Sequence, residues 1–254
     1  MRTATGLEVT VWGAGEPAVF VHGSFGWGSE TWREQKPLAD SYRLLLVDRR
    51  GFGGSAPDGR VDFDRDADDV AGLLEGTAHL VGHSYGGVVA LLAAARRRDA
   101  ASSLTVIEPP ALGLARGHPA VEQLVAGIDD AARAATDPAD YRARFLRGFG
   151  FPAERQELRG ADFQAARASM DERPPWEADI PLDDLRGLRT LVVRGDWSTA
   201  APEAREIAGA AFRAVCDVLE ENLGADVAVF PAAHNAQRLG APFNDRLRRF
   251  WESA

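Results

Sequence analysis

Short apolar runs alternate with amphipathic segments along most of this chain. Residues 7–12 alternate apolar and polar side chains, which predicts a strand exposed on one face. The other runs are continuously apolar, as in strands buried on both faces, and they cover residues 18–21, 42–47, 77–81, 103–107, 190–194 and 227–230. Because strands that alternate with helices form parallel sheets, we predict an α/β fold with a mostly parallel central sheet and helices on both faces.

Helical periodicity fills the intervals between these strands. It predicts helices near residues 29–40, 62–75, 88–96, 203–221 and 242–251. The strand pattern disappears between residues 111 and 180, where helical stretches lie near residues 119–135, 139–147 and 162–170. We therefore expect a core formed by residues 1–110 and 181–254, interrupted by a helical insertion over residues 111–180.

Composition and charge argue against several classes of protein. The formal net charge of −9 disfavours non-specific binding to nucleic acid or to an anionic membrane. The sequence has no uninterrupted apolar run of about 18 residues and no signal-peptide core at its amino terminus, so we expect a cytoplasmic location. Cys216, the single cysteine, is interpreted as a packed side chain of a predicted helix. No Cys/His cluster has zinc spacing, and we expect no metal or organic cofactor.

The best candidate for chemistry is Ser84, in the sequence Val81-Gly82-His83-Ser84-Tyr85-Gly86-Gly87. A predicted strand ends just before this motif and a predicted helix begins just after it. In that context G-x-S-x-G indicates a nucleophile elbow, a sharp turn that exposes the serine hydroxyl. Gly82 and Gly86 have no Cβ, so neighbouring segments can approach the turn closely.

Four other polar residues also follow the ends of predicted strands, namely His22, Glu108, Asp196 and His234. Because the carboxyl ends of parallel strands meet at one edge of a sheet, we expect these residues to converge with Ser84. A serine nucleophile needs a base, and that base needs an orienting partner. His234 is the best base, since it follows the last strand and lies C-terminal to every candidate acid.

These motifs resemble those of the α/β-hydrolase superfamily, in its serine-nucleophile branch. The resemblance runs from about residue 7 to the C-terminus. It rests on the His22-Gly23 loop, the stretch Asp48-x-Arg50-Gly51-x-Gly53-x-Ser55, the Ser84 motif and the Ala233-His234 turn. It implies the α/β-hydrolase fold, and it implies that residues 111–180 are a helical cap, or lid, inserted after strand 6, which covers the site and shapes substrate choice.

The orienting acid has two candidates. Many members of the superfamily place an Asp three residues after the glycine that ends a late strand, but here that glycine is Gly195 and the position holds Ser198. Asp196 is one residue beyond the glycine, where an Asp also suits a turn. Some members resemble this chain in placing a Glu at the position of Glu108, and a carboxylate at the end of a buried strand needs a partner. We favour Glu108 and keep Asp196 as the alternative.

The resemblance also implies an oxyanion hole and part of a substrate pocket. The oxyanion donors would be the backbone N–H groups of Tyr85 and Ser24, with that of Phe25 as a less favoured alternative to Ser24. Phe25 and Trp176 are expected to line the pocket.

The expected activity is hydrolysis of a carboxylic ester or lactone of a small, largely apolar substrate, through an acyl-enzyme on Ser84. Two alternatives stay open. One is C–C bond hydrolysis, or a non-hydrolytic lyase or cyclase step, by an enzyme of the same fold. The other is a receptor that binds a ligand without turnover. A small-molecule substrate is the partner implied by this reading, and the sequence leaves the oligomeric state open.

Overall fold

The computed structural model describes residues 1–3, 5–74 and 76–253. Its strands are β1 (Val9–Trp12), β2 (Glu16–Val21), β3 (Tyr42–Val47), β4 (Ala78–His83), β5 (Ala101–Ile107), β6 (Thr190–Gly195) and β7 (Asp226–Phe230). They form one sheet with the order β1-β3-β2-β4-β5-β6-β7. β1 pairs with β3 in antiparallel fashion, and all the other neighbours are parallel. The prediction of a mostly parallel sheet is confirmed.

Helices connect the strands. They are α1 (Gly28–Thr31), α2 (Phe63–Ala71), α3 (Tyr85–Arg96), α4 (Pro119–Ala134), α5 (Pro138–Gly148), α6 (Gly160–Met170), α7 (Leu182–Leu185), α8 (Pro202–Ala204), α9 (Ala210–Leu223) and α10 (Ala241–Glu252). The helix expected over residues 29–40 is instead α1 followed by a 3₁₀ segment, Arg33–Asp40, which contains Pro37. Glu75, the last residue of another predicted helix, lies outside the described residues. No helix in the described part of the chain is long and apolar enough to cross a membrane.

The central strands are buried on both faces, as their continuous apolar runs predict. Along β2, Val19 and Val21 pack into one cluster, which includes side chains of α2, α3 and α9. Ala18 and Phe20 pack into a second cluster, which includes side chains of α10. Successive side chains of a strand point to opposite faces, so a run without polar residues supplies both layers of the core.

The predicted insertion between residues 111 and 180 lies between β5 and β6 and contains α4, α5 and α6. It follows the fifth strand of this sheet and not a sixth. The label strand 6 came from the resemblance, whereas the apolar pattern itself places five strands before residue 111. Within the insertion α4 packs against α5 and α5 against α6, while α4 also packs against α9 of the core.

Candidate active site

Ser84 lies in the sharp turn between β4 and α3. Its backbone has φ +53° and ψ −128°, a conformation that non-glycine residues rarely adopt. A Cβ on Gly82 would lie 2.2 Å from the carbonyl oxygen of Gly86, and one on Gly86 would lie 2.3 Å from the carbonyl oxygen of Val21. Both glycines are therefore required by the close approach of backbone segments, and the turn has the geometry expected of a nucleophile elbow.

Positive φ angles mark this end of the sheet. Among the described residues the non-glycine ones with φ above zero are Phe25, Ser84, Glu108 and Trp197. Ser84 and Glu108 directly follow their strands, and the other two lie in the loops that follow β2 and β6. Such conformations cost about 1–3 kcal/mol each and persist where surrounding structure enforces them. Their clustering indicates a functional site.

His234 is bound to Glu108, the favoured acid. Its Nδ1–H donates to Glu108 Oε2 at 2.9 Å. The other carboxylate oxygen, Oε1, accepts hydrogen bonds from the Gly195 N–H at 2.9 Å and from Trp197 Nε1–H at 2.8 Å. Glu108 is 1 % exposed, so these three donors are what satisfies a carboxylate held away from water. A proton held on Nδ1 by this bond leaves Nε2 of His234 able to accept another.

Asp196, the alternative acid, is not brought to His234. It is exposed, and its Oδ1 accepts hydrogen bonds from the Ser198 N–H at 2.9 Å and from the Ser198 hydroxyl at 2.7 Å. These hydrogen bonds lower the pKa of its carboxyl below the ordinary value. The carboxylate thus closes its own turn, as an Asp in such a position commonly does.

Two cavities meet at Ser84. The larger, of about 230 Å³, is also lined by His234 and by Phe25. The smaller, of about 60 Å³, is lined by Tyr85 and Trp176. Ser24, Ser84, Phe145 and Phe149 border both. The described residues include no hydrogen bond between the Ser84 hydroxyl and His234, and catalytic hydrogen bonds of this kind often close only when substrate binds.

The backbone N–H groups of Ser24 and Tyr85 have no acceptor among the described residues. The Phe25 N–H, by contrast, donates to Ser169 Oγ at 2.8 Å. A Cβ on Gly23 would lie 2.7 Å from the Cβ of Ser84, so the loop that carries Ser24 passes directly beside the elbow. Of the two loop amides that the resemblance offers, that of Phe25 is already bound, whereas that of Ser24 has no acceptor among the described residues.

His22 and His83 hold backbone groups. His22 Nδ1–H donates to the Gly23 carbonyl at 2.7 Å, and Nε2 accepts the Arg49 N–H at 3.1 Å. His83 Nε2–H donates to the carbonyl of His234 at 3.0 Å. Burial lowers the pKa of both imidazoles well below 6.5. Both rings stay neutral and fix the loops that carry the candidate oxyanion donor and base.

Several residues of the site do not follow from sequence patterns. Glu172 of the insertion accepts a hydrogen bond from the Ser24 hydroxyl at 2.5 Å, and Arg49 binds the same carboxylate. Phe145 and Phe149 of the α5 region border both cavities. No local signal distinguishes Glu172 from the other acidic residues of the insertion, because its partners lie more than 100 positions away in sequence.

Comparison with known proteins assigns the chain to a family. A model of the alpha/beta hydrolase family matches residues 18–245. The pimeloyl-[acyl-carrier protein] methyl ester esterase of Methylococcus capsulatus is 31% identical over 195 residues, which are 75% of this chain and 74% of that protein. The chain therefore belongs to the α/β-hydrolase family, and the predicted fold is confirmed. Its relatives support an ester hydrolase of this family as the enzyme class.

Solved structures share the fold over nearly the whole chain. An esterase from Thermogutta terrifontis superposes with a TM-score of 0.66 at 23% identity and covers 98% of this chain and 96% of its own. Est816, an N-acyl homoserine lactone degrading enzyme, superposes with a TM-score of 0.61 at 24% identity and covers 96% of both chains. At these identities the superpositions support the fold alone.

Proposed function

We propose that this protein is a serine hydrolase that cleaves a carboxylic ester or lactone of a small, largely apolar substrate through an acyl-enzyme on Ser84. The observation that carries the proposal is the hydrogen bond of 2.9 Å from His234 to the buried Glu108, with Ser84 lining the same cavity as that histidine. A base with a fixed tautomer that lines the same cavity as a serine hydroxyl is what acyl transfer requires.

The reaction follows from this arrangement. The substrate carbonyl carbon lies beside Ser84 Oγ, with its oxygen toward the N–H groups of Ser24 and Tyr85. As Oγ attacks, Nε2 of His234 takes its proton and Glu108 stabilises the imidazolium. His234 then gives the proton to the leaving alkoxide, and the alcohol departs. Water, deprotonated by the same histidine, then attacks the acyl carbon. The bond between that carbon and Ser84 Oγ breaks, His234 returns the proton to Oγ, and the carboxylic acid leaves. In a lactone the alcohol and the acid belong to one product.

The larger cavity supports a mostly apolar substrate with one polar end. Its wall contains Phe25, Phe145, Leu146, Phe149 and Phe151. Charged side chains line it as well. Of these, Arg238 binds Glu30 at 2.6 Å, whereas Arg142 has no acidic partner among the described residues. An ester whose far end bears a carboxylate would match that guanidinium.

We further propose that residues 111–180 act as a cap over this site. The support is that α5 and the segment around Trp176, both within the insertion, form walls of the two cavities beside Ser84. Substrate choice would then depend mainly on the insertion.

The cytoplasmic location and the absence of a nucleic-acid partner stay predictions from the sequence.

The test uses p-nitrophenyl esters of acetate, butyrate and octanoate together with simple γ-lactones. We expect Ser84→Ala and His234→Ala each to lower kcat by about 10³-fold or more, as is usual for members of a catalytic triad. Ser198→Ala, which removes an exposed serine hydroxyl, is the matched control and keeps its activity. Wild type should also show a burst of p-nitrophenol equal to the enzyme concentration, and a fluorophosphonate should label Ser84.

The same variants distinguish the alternatives. Unchanged turnover by Ser84→Ala would refute the proposal. Absence of any ester or lactone turnover, with turnover of a C–C substrate that depends on Ser84, would favour the C–C hydrolase alternative. Ligand binding without turnover in any of these assays would favour a receptor.

A further inference from the structure

The insertion contacts the loop of the candidate oxyanion donors at two consecutive residues. The Ser24 hydroxyl donates to Glu172 Oε2 at 2.5 Å, and the Phe25 N–H donates to Ser169 Oγ at 2.8 Å. Ser169 and Glu172 stand at the end of α6 and just beyond it. The conformation of this loop is therefore held by a segment that begins more than 140 positions later in the chain.

Arg49 connects Glu172 to the preceding part of the same loop. Its Nη2 donates to Glu172 Oε1 at 2.5 Å and to the Gly23 carbonyl at 3.2 Å, and its Nε donates to the His22 carbonyl at 3.1 Å. A fourth contact, to Asp66 Oδ2 at 3.0 Å, satisfies Nη1. Its side chain has no exposed surface. A buried guanidinium with these bonds is rigid, because each lost contact would leave a charge unsatisfied.

These contacts hold every residue from 22 to 25, and none of them uses the Ser24 N–H. Arg49 holds the carbonyls of residues 22 and 23, Glu172 holds the hydroxyl of Ser24, and Ser169 holds the amide of Phe25. The Ser24 N–H has no acceptor among the described residues. An oxyanion donor is effective only when its direction is set before the reaction, and the contacts around Ser24 set that direction.

We propose that Glu172 is a positioning residue for the oxyanion site, which acts by holding the Ser24 hydroxyl and Arg49 so that the Ser24 N–H points at the carbonyl oxygen of a substrate on Ser84. This inference rests on the proposed function. Glu172 also lines the smaller cavity beside Ser84, but its carboxylate is bound to the Ser24 hydroxyl and to Arg49. Its effect should appear in the transition state, where charge develops on the oxygen, and not in ground-state binding.

The decisive variant is Glu172→Gln. Both carboxylate oxygens accept hydrogen bonds, and glutamine keeps one oxygen, so either Ser24 or Arg49 loses its acceptor. Complete loss of one oxyanion donor costs about 10²–10³ in kcat, and a donor that is present but misdirected should cost about 10–100-fold. We expect that loss in kcat for p-nitrophenyl butyrate, with KM within threefold of wild type. Glu177→Gln, which removes an exposed carboxylate that binds Arg173, is the matched control.

Two further measurements separate positioning from a general loss of structure. Active sites are counted by fluorophosphonate titration, so that kcat refers to folded enzyme. A trifluoromethyl ketone, whose adduct with serine carries an oxyanion, should bind Glu172→Gln more weakly by the same factor as kcat falls. Ser24→Ala, which leaves the pair of Glu172 and Arg49 intact, should also lower kcat with little change in KM. The kcat of the double variant should be no lower than that of the less active single variant.

The outcomes distinguish this inference from the proposed function. If Ser84→Ala is inactive while Glu172→Gln stays within twofold of wild type in kcat, the inference about Glu172 is wrong and the serine mechanism stands. Losses of Ser24→Ala and Glu172→Gln that multiply in the double variant would also overturn it. If Ser84→Ala keeps full turnover, the proposed function fails first and takes this inference with it.

Discussion

Replacing Glu108 by glutamine tests the candidate triad, because it exchanges one carboxylate oxygen for an NH₂ group and keeps the shape of the side chain. The carboxylate accepts from three donors: His234 at Oε2, and Gly195 and Trp197 at Oε1. Glutamine offers one oxygen and one NH₂ group in the same space. With the amide oxygen in the place of Oε1, two of the three hydrogen bonds survive. The reverse orientation would set the NH₂ group against two N–H donors at 2.9 and 2.8 Å, which is disfavoured.

The surviving orientation reverses the tautomer of the base. The NH₂ group of the glutamine faces Nδ1 of His234, so this nitrogen must accept a hydrogen bond and the ring proton moves to Nε2. Nε2 can then no longer take the proton of Ser84. Replacing the acid of a Ser–His–acid triad by its amide lowers kcat by about 10⁴-fold, which corresponds to about 5 kcal/mol of barrier. The melting temperature should change little, because the bonds from Gly195 and Trp197 are retained.

Steady-state hydrolysis of p-nitrophenyl butyrate measures the effect. We expect Glu108→Gln to lose 10³-fold or more in kcat, while Asp196→Asn, an equivalent change in the alternative acid, stays within twofold of wild type. The melting temperature by circular dichroism provides the control for folding. Glu108→Gln within tenfold of wild type, or a loss in Asp196→Asn of the size expected for Glu108, would refute the reasoning.

Two further predictions concern specificity and pH. Arg142→Gln should raise KM about tenfold for p-nitrophenyl esters that end in a carboxylate and leave KM for neutral esters within twofold. Arg147→Gln is the control, because the Arg147 side chain donates to an exposed backbone carbonyl. An equal rise in KM for charged and neutral esters would contradict the prediction. His83→Gln tests pH dependence, because burial lowers the pKa of His83 while the unfolded chain takes up a proton near pH 6.5. The difference in free energy of unfolding between wild type and this variant, measured by urea titration, should therefore fall by about 1 kcal/mol when the pH is lowered from 6.5 to 5.5. A difference that stays constant over this range would contradict the prediction.

The sheet and the convergence of polar loops could be predicted because their signals are local. A strand buried on both faces is apolar along its whole length. The residue that follows it lies at the carboxyl edge of the sheet, independently of the rest of the chain. Ser84, Glu108 and His234 all follow such strands, so they are expected at one edge of the sheet. Glu108 was favoured over Asp196 for two other reasons. A carboxylate at the end of a buried strand needs a partner, whereas an Asp in a turn can bond to its own loop, and some members of the superfamily have a Glu at this position.

The residues that support the loops could not be predicted in the same way. Arg49 and Glu172 meet across 123 positions, and their contact depends on how the insertion lies on the core. Helical periodicity shows that α5 and α6 form, but it does not say which of their faces meets the site. For an apolar residue such as Phe145, packing on the sheet is the more usual expectation, yet the structure places it on the wall of both cavities. Such contacts follow from tertiary packing, which a single sequence does not encode in any local pattern.

The residues with positive φ angles indicate which parts of the site are held by the core and which by the insertion. Ser84, Glu108 and Trp197 keep their positive φ angles within core loops, next to the strands that carry them. Phe25 has the same kind of strain, but its amide is held by Ser169 of the insertion. The candidate nucleophile and base are thus positioned by the core, whereas the loop of the candidate oxyanion donor Ser24 is held both by Arg49 of the core and by Ser169 and Glu172 of the insertion. A change in the insertion that alters substrate choice would therefore also alter catalysis, unless the contacts of Ser169 and Glu172 are kept.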